Sequence, residues 1–355
     1  MRYLLLLICC LISLLSYTQT EKVSDSLPVI SFREYIADYT KQLNIKFEVS
    51  NEIPKYKIPF AGETVKIEPN LGLRYAFVVS YKFLSVRLGI RPKPSGTSAT
   101  EKGKPKSFRL KFALLFNKWS HDFEYNQVRG YYIVDKGITD EIFPSDASNH
   151  IQFPDLTTRV FSGTSAYKLN DNYSVRATIS QTERQLKSAG SFIPSIDYWY
   201  YNFDGLDTYK NLSGETIERN KYLETQGFNI AVNMGYYYTF VKKNWFANAF
   251  AIPGVGVDFN WSEAFENGSS IKDNFQELLW SFKGGIGAGY NGEKIFGGAS
   301  FVKHITNESN NSDKVQFQLS KNSFFLFIGY RFKAPKQIAK PIDKIEEKIP
   351  LLESN

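Results

Sequence analysis

The chain has 355 residues, a formal net charge of +7 and 43% hydrophobic residues, among them 29 Phe and 22 Tyr. Its 2 cysteines, Cys9 and Cys10, both fall at the N-terminus, so the rest of the chain excludes disulfides, reactive thiols and cysteine-ligated metal. The basic residues are scattered through alternating stretches rather than gathered on one patch, which argues against nucleic acid as a partner.

Met1-Arg2-Tyr3, an almost unbroken apolar run from Leu4 to Leu15, and Ser16-Tyr17-Thr18-Gln19 have the form of a secretory signal cleaved after Thr18. The run is shorter than the roughly 20 apolar residues of a spanning helix, and no comparable run follows it. A lipoprotein signal modified at Cys10 is the competing reading. It is weakened by Cys9, which stands where such signals carry Gly, Ala or Ser.

Next, Ser31-Phe32-Arg33-Glu34 has the form of a capping box, and Phe32, Tyr35, Ile36, Tyr39 and Leu43 follow helical spacing. This predicts a short amphipathic helix over about 32–41. From there the period changes to two, the period of a strand. Ile45, Phe47 and Val49 alternate with Lys46 and Glu48, and a polar segment at 51–68 leads to a second strand at 69–83. The apolar phase flips at Phe83-Leu84-Ser85, which marks a hairpin turn into Leu84, Val86, Leu88 and Ile90. A flexible loop from Pro92 to Lys106 follows. Phe108 to Phe116 turns at Asn117-Lys118 into Trp119, Phe123 and Tyr125, and 129–155 is a long loop. Leu156 to Lys168 turns at 169–172 into a seventh strand carrying Tyr173, Val175, Ala177 and Ile179. The longest loop, 183–224, precedes Phe228 to Phe240. Trp245 to Phe259, a loop at 262–273, Leu278 to Tyr290, the hairpin signal Asn291-Gly292, Ile295 to His304 and Phe324 to Phe332 complete the pattern.

Short turns and long connections thus alternate. Outer-membrane barrels place the short turns in the periplasm and the long loops outside. The expected fold is all-β: a transmembrane antiparallel up-and-down β-barrel of about 12 strands over residues 43–332, in the cell outer membrane. A periplasmic segment at 19–42 with its short helix precedes it, and a periplasmic tail at 333–355 follows. Phe192, Ile196, Tyr198 and Tyr200 also alternate, but a strand there would break the parity, so the stretch is assigned to the external loop. Ten or fourteen strands are the alternatives.

With the apolar faces turned outward, Arg74, Arg87, Arg91, Arg109, Lys111, Arg159, Arg176 and Arg184 are the candidate basic lining of the lumen. Asp122, Glu124, Asp258 and Glu277 stand among them with the opposite sign. Two readings stay open: a basic interior that draws in a small anionic solute, or salt bridges that fill a narrow lumen. Lys187, Ser188, Ala189, Gly190, Ser191 and Phe192 form a candidate constriction loop, folding inward from the start of the long loop or closing a hairpin at the rim. His121, His150 and His304 have no carboxylate assignable to them, so no catalytic residue, metal site or cofactor is expected. The expected partners are outer-membrane lipid, a small anionic solute and a periplasmic protein met through the tail. A pore or binding barrel is the first reading of function. A non-conducting barrel acting through its external loops is the second, and a lipid hydrolase the third.

Several stretches resemble an uncharacterised Bacteroidota family, domain of unknown function 4421. They are Pro69-Asn70-Leu71-Gly72, Lys118-Trp119 with Arg129-Gly130-Tyr131-Tyr132, Phe153-Pro154-Asp155-Leu156, and Gly329-Tyr330-Arg331-Phe332. The most specific is the run from Gln181 to Phe192, Gln-Thr-Glu-Arg-Gln-Leu-Lys-Ser-Ala-Gly-Ser-Phe. The resemblance spans about residues 30–335; it implies an outer-membrane barrel and no assigned activity.

Overall fold

The computed structural model describes residues 31–32, 34–60, 63–134, 149–218, 221–266, 269–306 and 321–348. The expected signal at 1–18 and part of the loops after Ile133 and Thr306 lie outside them. The period-two stretches form twelve wall strands: β1 (Gln42–Ser50), β2 (Arg74–Tyr81), β3 (Leu84–Ile90), β4 (Lys106–Leu115), β5 (Trp119–Ile133), β6 (Gln152–Tyr167), β7 (Ala189–Asp204), β8 (Lys221–Lys242), β9 (Trp245–Glu266), β10 (Ser269–Asn291), β11 (Ile295–Thr306) and β12 (Lys321–Lys333). Each pairs antiparallel with its neighbours in chain order. β12 returns to β1, with Phe325 opposite Ser50 and Lys333 opposite Gln42, so the sheet is closed.

Residues paired across an antiparallel ladder share a face. The register therefore sorts the whole wall into two sets. Phe77, Phe161, Phe192, Ile196, Met234, Tyr236, Val255, Ile286, Leu326 and Ile328 point outward and are exposed. Asn44, Lys46 and Glu48 on β1 sit opposite Ser80, Val78 and Ala76 on β2 and point inward, as do their partners around the barrel.

Four expectations are corrected. The helix over about 32–41 is absent; Ile36–Asp38 is instead a strand paired with Glu183–Gln185. Its helix-spaced residues Ile36, Tyr39 and Leu43 are buried because tertiary partners hold them, not because they line one helical face. The seventh wall strand is not 173–179, which holds a helical turn at Arg176–Ile179. The strand is Ala189–Asp204, paired through 195–204 with β6 and through 189–203 with β8. The barrel has the expected number of strands with one member exchanged. Third, the loop at 262–273 is strand: β9 and β10 stay paired out to Glu266 and Ser269. Fourth, the polar segment 51–68 contains a β-hairpin, Tyr56–Phe60 with Glu63–Glu68, and the loop after Pro92 holds a short helix, Gly96–Lys102.

One end of the barrel carries the short turns, at Lys82-Phe83, 116–118, Lys243-Asn244 and 292–294, together with the start of β1 and the end of β12. It also carries the connection 168–188 between β6 and β7. The other end carries the long connections. Beyond β12 a helix, Lys336–Lys348, occupies part of the expected tail.

The placement of β7 is testable by cross-linking. Ser195→Cys with Asn233→Cys, which lie directly opposite across β7 and β8, should oxidise to a disulfide, since such partners fall within bridging distance. Ile196→Cys with Asn233→Cys, on opposite faces, should not. Equal cross-linking of both pairs on a non-reducing gel would return residues 189–204 to a loop.

Candidate functional site: a chamber in the lumen

At the loop end an apolar core lies over β5 to β7. Tyr56, Ile58 and Phe60 alternate with Lys57 and Pro59, and Val65 and Ile67 with Thr64 and Lys66, so the hairpin buries one face. That face packs on Tyr131 and Ile133 of β5, Phe153 and Leu156 of β6, and Tyr201 and Phe203 of β7. Aromatic edges meet faces: Tyr56 against Phe203 at 4.7 Å, Phe60 against Phe153 at 5.4 Å and against Tyr209 at 5.3 Å. Such pairs add to the area they bury.

Below this cap, β1 to β5 carry a ladder of ion pairs on the inner face. Glu52, just past β1, accepts from Arg74 Nη2 at 2.6 Å and Arg109 Nη1 at 2.7 Å. Arg109 also holds Glu124 at 2.6 Å. Arg87 holds Glu48 at 2.9 Å, and Lys111 holds Asp122 at 2.9 Å. Charges removed from water need such partners. Lys46 donates to the Ile179 carbonyl at 3.1 Å and stands 5.0 Å over the Phe327 ring.

The short-turn end is shut by a plug. Ile36–Asp38 and Glu183–Gln185 pair, with Tyr39 N donating to Thr182 O at 2.9 Å and Leu186 N to Tyr35 O at 2.8 Å. Arg331 on β12, 1% exposed, fastens the plug to the wall. Its Nε and Nη2 donate to the Gln181 carbonyl at 3.2 and 2.7 Å, and Nη2 also donates to Asn291 Oδ1 at 2.7 Å. Nη1 donates to the Gly292 carbonyl at 2.5 Å, and the guanidinium stacks 4.2 Å from the Tyr39 ring. Asn44 Nδ2 adds a bond to Gln181 O at 2.7 Å. Gln181 itself has a φ of 54°, a left-handed conformation that this set of contacts holds in place.

Between cap and plug lies a cavity of about 480 Å³. The ion-pair ladder and Lys46 form one wall. Phe250, Val302, Phe325 and Phe327, with Tyr173 and Tyr237, form the other.

Arg74, Arg87, Arg109 and Lys111 lie where the sequence placed them, but in ion pairs. Arg91, just past β3, is also inside and donates to the carbonyls of Gly72 (2.7 Å) and Glu52. The other three candidates are corrected. Arg159 shares the outer face with Phe161 and bonds outward-facing Asn202 at 3.0 Å. Arg176 belongs to the plug, where it donates to the Leu115 carbonyl and pairs with Glu183 at 3.2 Å. Arg184, in the plug strand, bonds Asn244 at 2.6 Å at the turn end.

The candidate constriction loop is corrected as well. Ala189, Gly190, Ser191 and Phe192 begin β7, and Phe192 faces outward. Lys187 pairs with Glu34 at 2.6 Å at the plug's edge, and Ser188 Oγ accepts from Val241 N. The segment that narrows the lumen is 168–186, just before it. The inward residues that sequence reasoning missed are Lys46, Glu48, Glu52, Lys283 and Arg331. Lys46 and Glu48 were signalled by their polar phase in the first strand; nothing in the pattern marked Glu52.

His121 Nδ1 lies 2.9 Å from Ser165 Oγ, but on the outer face between the Trp119 and Phe123 rings. Among the described residues no carboxylate bonds His121, and no group of His, Cys, Asp and Glu has the form of a metal site.

The model of the family described as Domain of unknown function (DUF4421) matches residues 23–332, and the chain belongs to that family. No curated protein matches. Similar solved structures include OmpT, an outer membrane protein of Vibrio cholerae (10% identity, 82% of this chain and 98% of that one, TM-score 0.27). The Pseudomonas putida toluene transporter TodX (9% identity, 85% and 90%, 0.29) and the beta domain of the Bordetella autotransporter BrkA (10%, 82% and 98%, 0.34) are also similar. At such scores neither the pores nor the ligands of those proteins carry over to this chain.

The fastening role of Arg331 predicts that Arg331→Met unseats the plug, since hydrogen bonds to a charged group contribute roughly 1.5–3 kcal/mol each. Limited trypsin digestion in detergent should then cut after Arg184 and Lys187 in the variant and leave the wild type intact there. Equal resistance would mean that the other plug contacts suffice.

The C-terminal helix is fastened to the same end by Lys82, which bonds Glu346 and, at 2.6 Å, Asp343. Burial opposes the ammonium charge, but the two carboxylates outweigh it and hold the Lys82 pKa above the ordinary lysine value. A raised lysine pKa stabilises the docked helix fully below the unfolded value of about 10.4, and the contribution is lost as pH rises through the shifted value. Docking is therefore expected to be unchanged from pH 6 to 9, while Lys82→Met accelerates amide exchange across 336–348 at pH 7. No acceleration would show that the helix is held by other contacts.

Proposed function

We propose that the chain is an outer-membrane β-barrel closed at both ends, which holds a small solute in its lumen and does not pass solutes by free diffusion. The membrane reading is supported by the apolar outward set and by sheet closure, because a backbone in hydrocarbon must satisfy every N–H and C=O within the protein. Trp119, Trp245, Tyr330 and Phe332 are exposed near the short turns, where a barrel carries an aromatic girdle. The loop end then faces the exterior, and the plug and the C-terminal helix face the periplasm.

The observation that carries the reading is the cavity of about 480 Å³ that lies between an apolar cap and a hydrogen-bonded plug. A ligand pocket of this order suits a small molecule. The arginines expected to attract anions from outside are already paired, which weighs against an open anion pore. The reading is non-enzymatic. A surface-interaction role is the second reading, favoured by the long β9–β10 pair and by the exposed Ile345 on the C-terminal helix.

Purified protein in planar bilayers should give no single-channel steps, whereas Arg331→Met should give them once the plug is loosened. Regular steps from the wild type would overturn the closed-barrel reading. Independently, Phe77→Arg or Met234→Arg should cost roughly 2–4 kcal/mol of folding free energy in lipid vesicles if these outward side chains sit at the bilayer midplane. Urea titrations showing no loss for either would remove the membrane assignment of this face.

A further inference from the structure

The chamber is chemically two-sided, and one charge on it is unaccounted for. Lys283 on β10 lines the apolar wall, not the ion-pair wall. Its register partners are Ile252 on β9 and His304 on β11, all on the inner face. Among the described residues no carboxylate lies within ion-pair distance of Lys283, whereas Arg74, Arg87, Arg109 and Lys111 each have one. Its side chain is nonetheless exposed, so it stands in the open space of the chamber.

The strand beside it is shaped for a flat apolar body. Toward the short turns β10 continues with Gly285 and Gly287 on the inner face, opposite Phe250 and Asn248 on β9. A Cβ on Gly285 would lie 2.5 Å from two atoms of the Phe250 ring, so the missing side chain is what lets that ring lie along the wall. Val302 is the partner of Gly285 on the other side; its own partner on β12 is Ser323, and Phe325 is the next residue on that face.

We propose that this half of the chamber binds an amphipathic organic anion, with its carboxylate on the Lys283 ammonium and its apolar body against Phe250, Val302 and Phe325. The inference rests on the reading of the barrel as a closed, solute-holding body. The Lys283 ammonium has apolar surface on its flank and no carboxylate beside it, and an anion supplies the charge that the wall lacks. A small inorganic anion would satisfy Lys283 and leave the aromatic wall uncovered. A neutral hydrocarbon would cover that wall and leave the ammonium unpaired. Only a ligand with both parts matches both features.

The probe is 2-naphthoate, with 2-naphthamide lacking the charge and acetate lacking the body. The full-length protein is refolded from urea into detergent micelles with the probe present, so that entry is not limiting. Retention above empty micelles is then measured by equilibrium dialysis. Naphthoate should be retained, with the amide and acetate at least tenfold weaker. Lys283→Met should lose at least tenfold in affinity, and Lys283→Arg, which keeps the charge, should stay within threefold of the wild type. Lys303→Met, on the outer face one strand away, should bind as the wild type does. Equal retention of naphthoate and naphthamide, or unaltered binding by Lys283→Met, overturns the proposal. Conductance by the wild type would overturn the closed-barrel reading instead. A silent barrel that retains no naphthoate overturns this inference alone.

Discussion

The ladder between Gln42–Ser50 and Phe325–Lys333 is the contact on which the rest of the structure depends. Without it, β1 and β12 would each present a row of unpaired backbone groups, the feature that edge strands must hide and that hydrocarbon does not tolerate. With it, facing becomes a global property. No strand can slip by one residue without turning its apolar set inward and its charged set outward. The position of Arg87 opposite Lys111, with Glu48 and Asp122 within reach, is therefore a consequence of closure as much as of local pairing.

Closure also dictates what fills the interior. The inner faces of β2 to β5 carry more base than acid, and a narrow lumen leaves little water to solvate the excess. Glu52 resolves part of this by lying between Arg74 and Arg109, and Arg109 reaches on to Glu124. The plug resolves more of it by adding backbone carbonyls to the acids: Ile179 O meets Lys46 and Gln181 O meets Arg331, while the plug's own Arg176 meets the wall carbonyl of Leu115 beside its pair with Glu183. Cations at this end are thus held by dipoles of the chain as well as by acids. This explains why the plug needs a segment without regular ladder pairing, whose carbonyls are free to turn toward the wall.

The alternation of Phe77, Met234 or Leu326 with polar residues made the wall legible, because a strand exposed on one face has a period that no other element shares. Arg74, Arg87, Arg109 and Lys111 were legible for the same reason. The plug was not. Tyr173, Val175, Ala177 and Ile179 alternate like a strand, yet the segment lies inside the lumen, between the wall and the cavity, and its spacing is set by contacts from different directions. The parity rule then compounded the error, since it assumed that every periplasmic connection is short. It thereby rejected Phe192, Ile196 and Tyr200, whose pattern was as clean as that of accepted strands. The run from Gln181 to Phe192 spans the junction of plug and β7, so a stretch that marks the family also marks the place where the simple barrel pattern breaks. Arg331 was hidden by its position among the outward aromatics Tyr330 and Phe332; only its parity pointed inward.

The two closures of the chamber differ in kind. The loop end is held by apolar burial, where each fully buried side chain such as Ile58, Phe60 or Ile67 contributes roughly 1.5–3 kcal/mol. That term is non-directional and survives small displacements. The plug is held by hydrogen bonds from a few side chains to particular carbonyls, each netting about 1 kcal/mol for a neutral donor and somewhat more for Arg331. Those bonds are directional, and they fail together once Gln181 O moves, because Asn44 and Arg331 both donate to it. The closure at the short-turn end is therefore the more cooperative and the more easily released of the two. Release of the plug would open the chamber past Gln181, at the end of the barrel where Ile36–Asp38 and the C-terminal helix both lie.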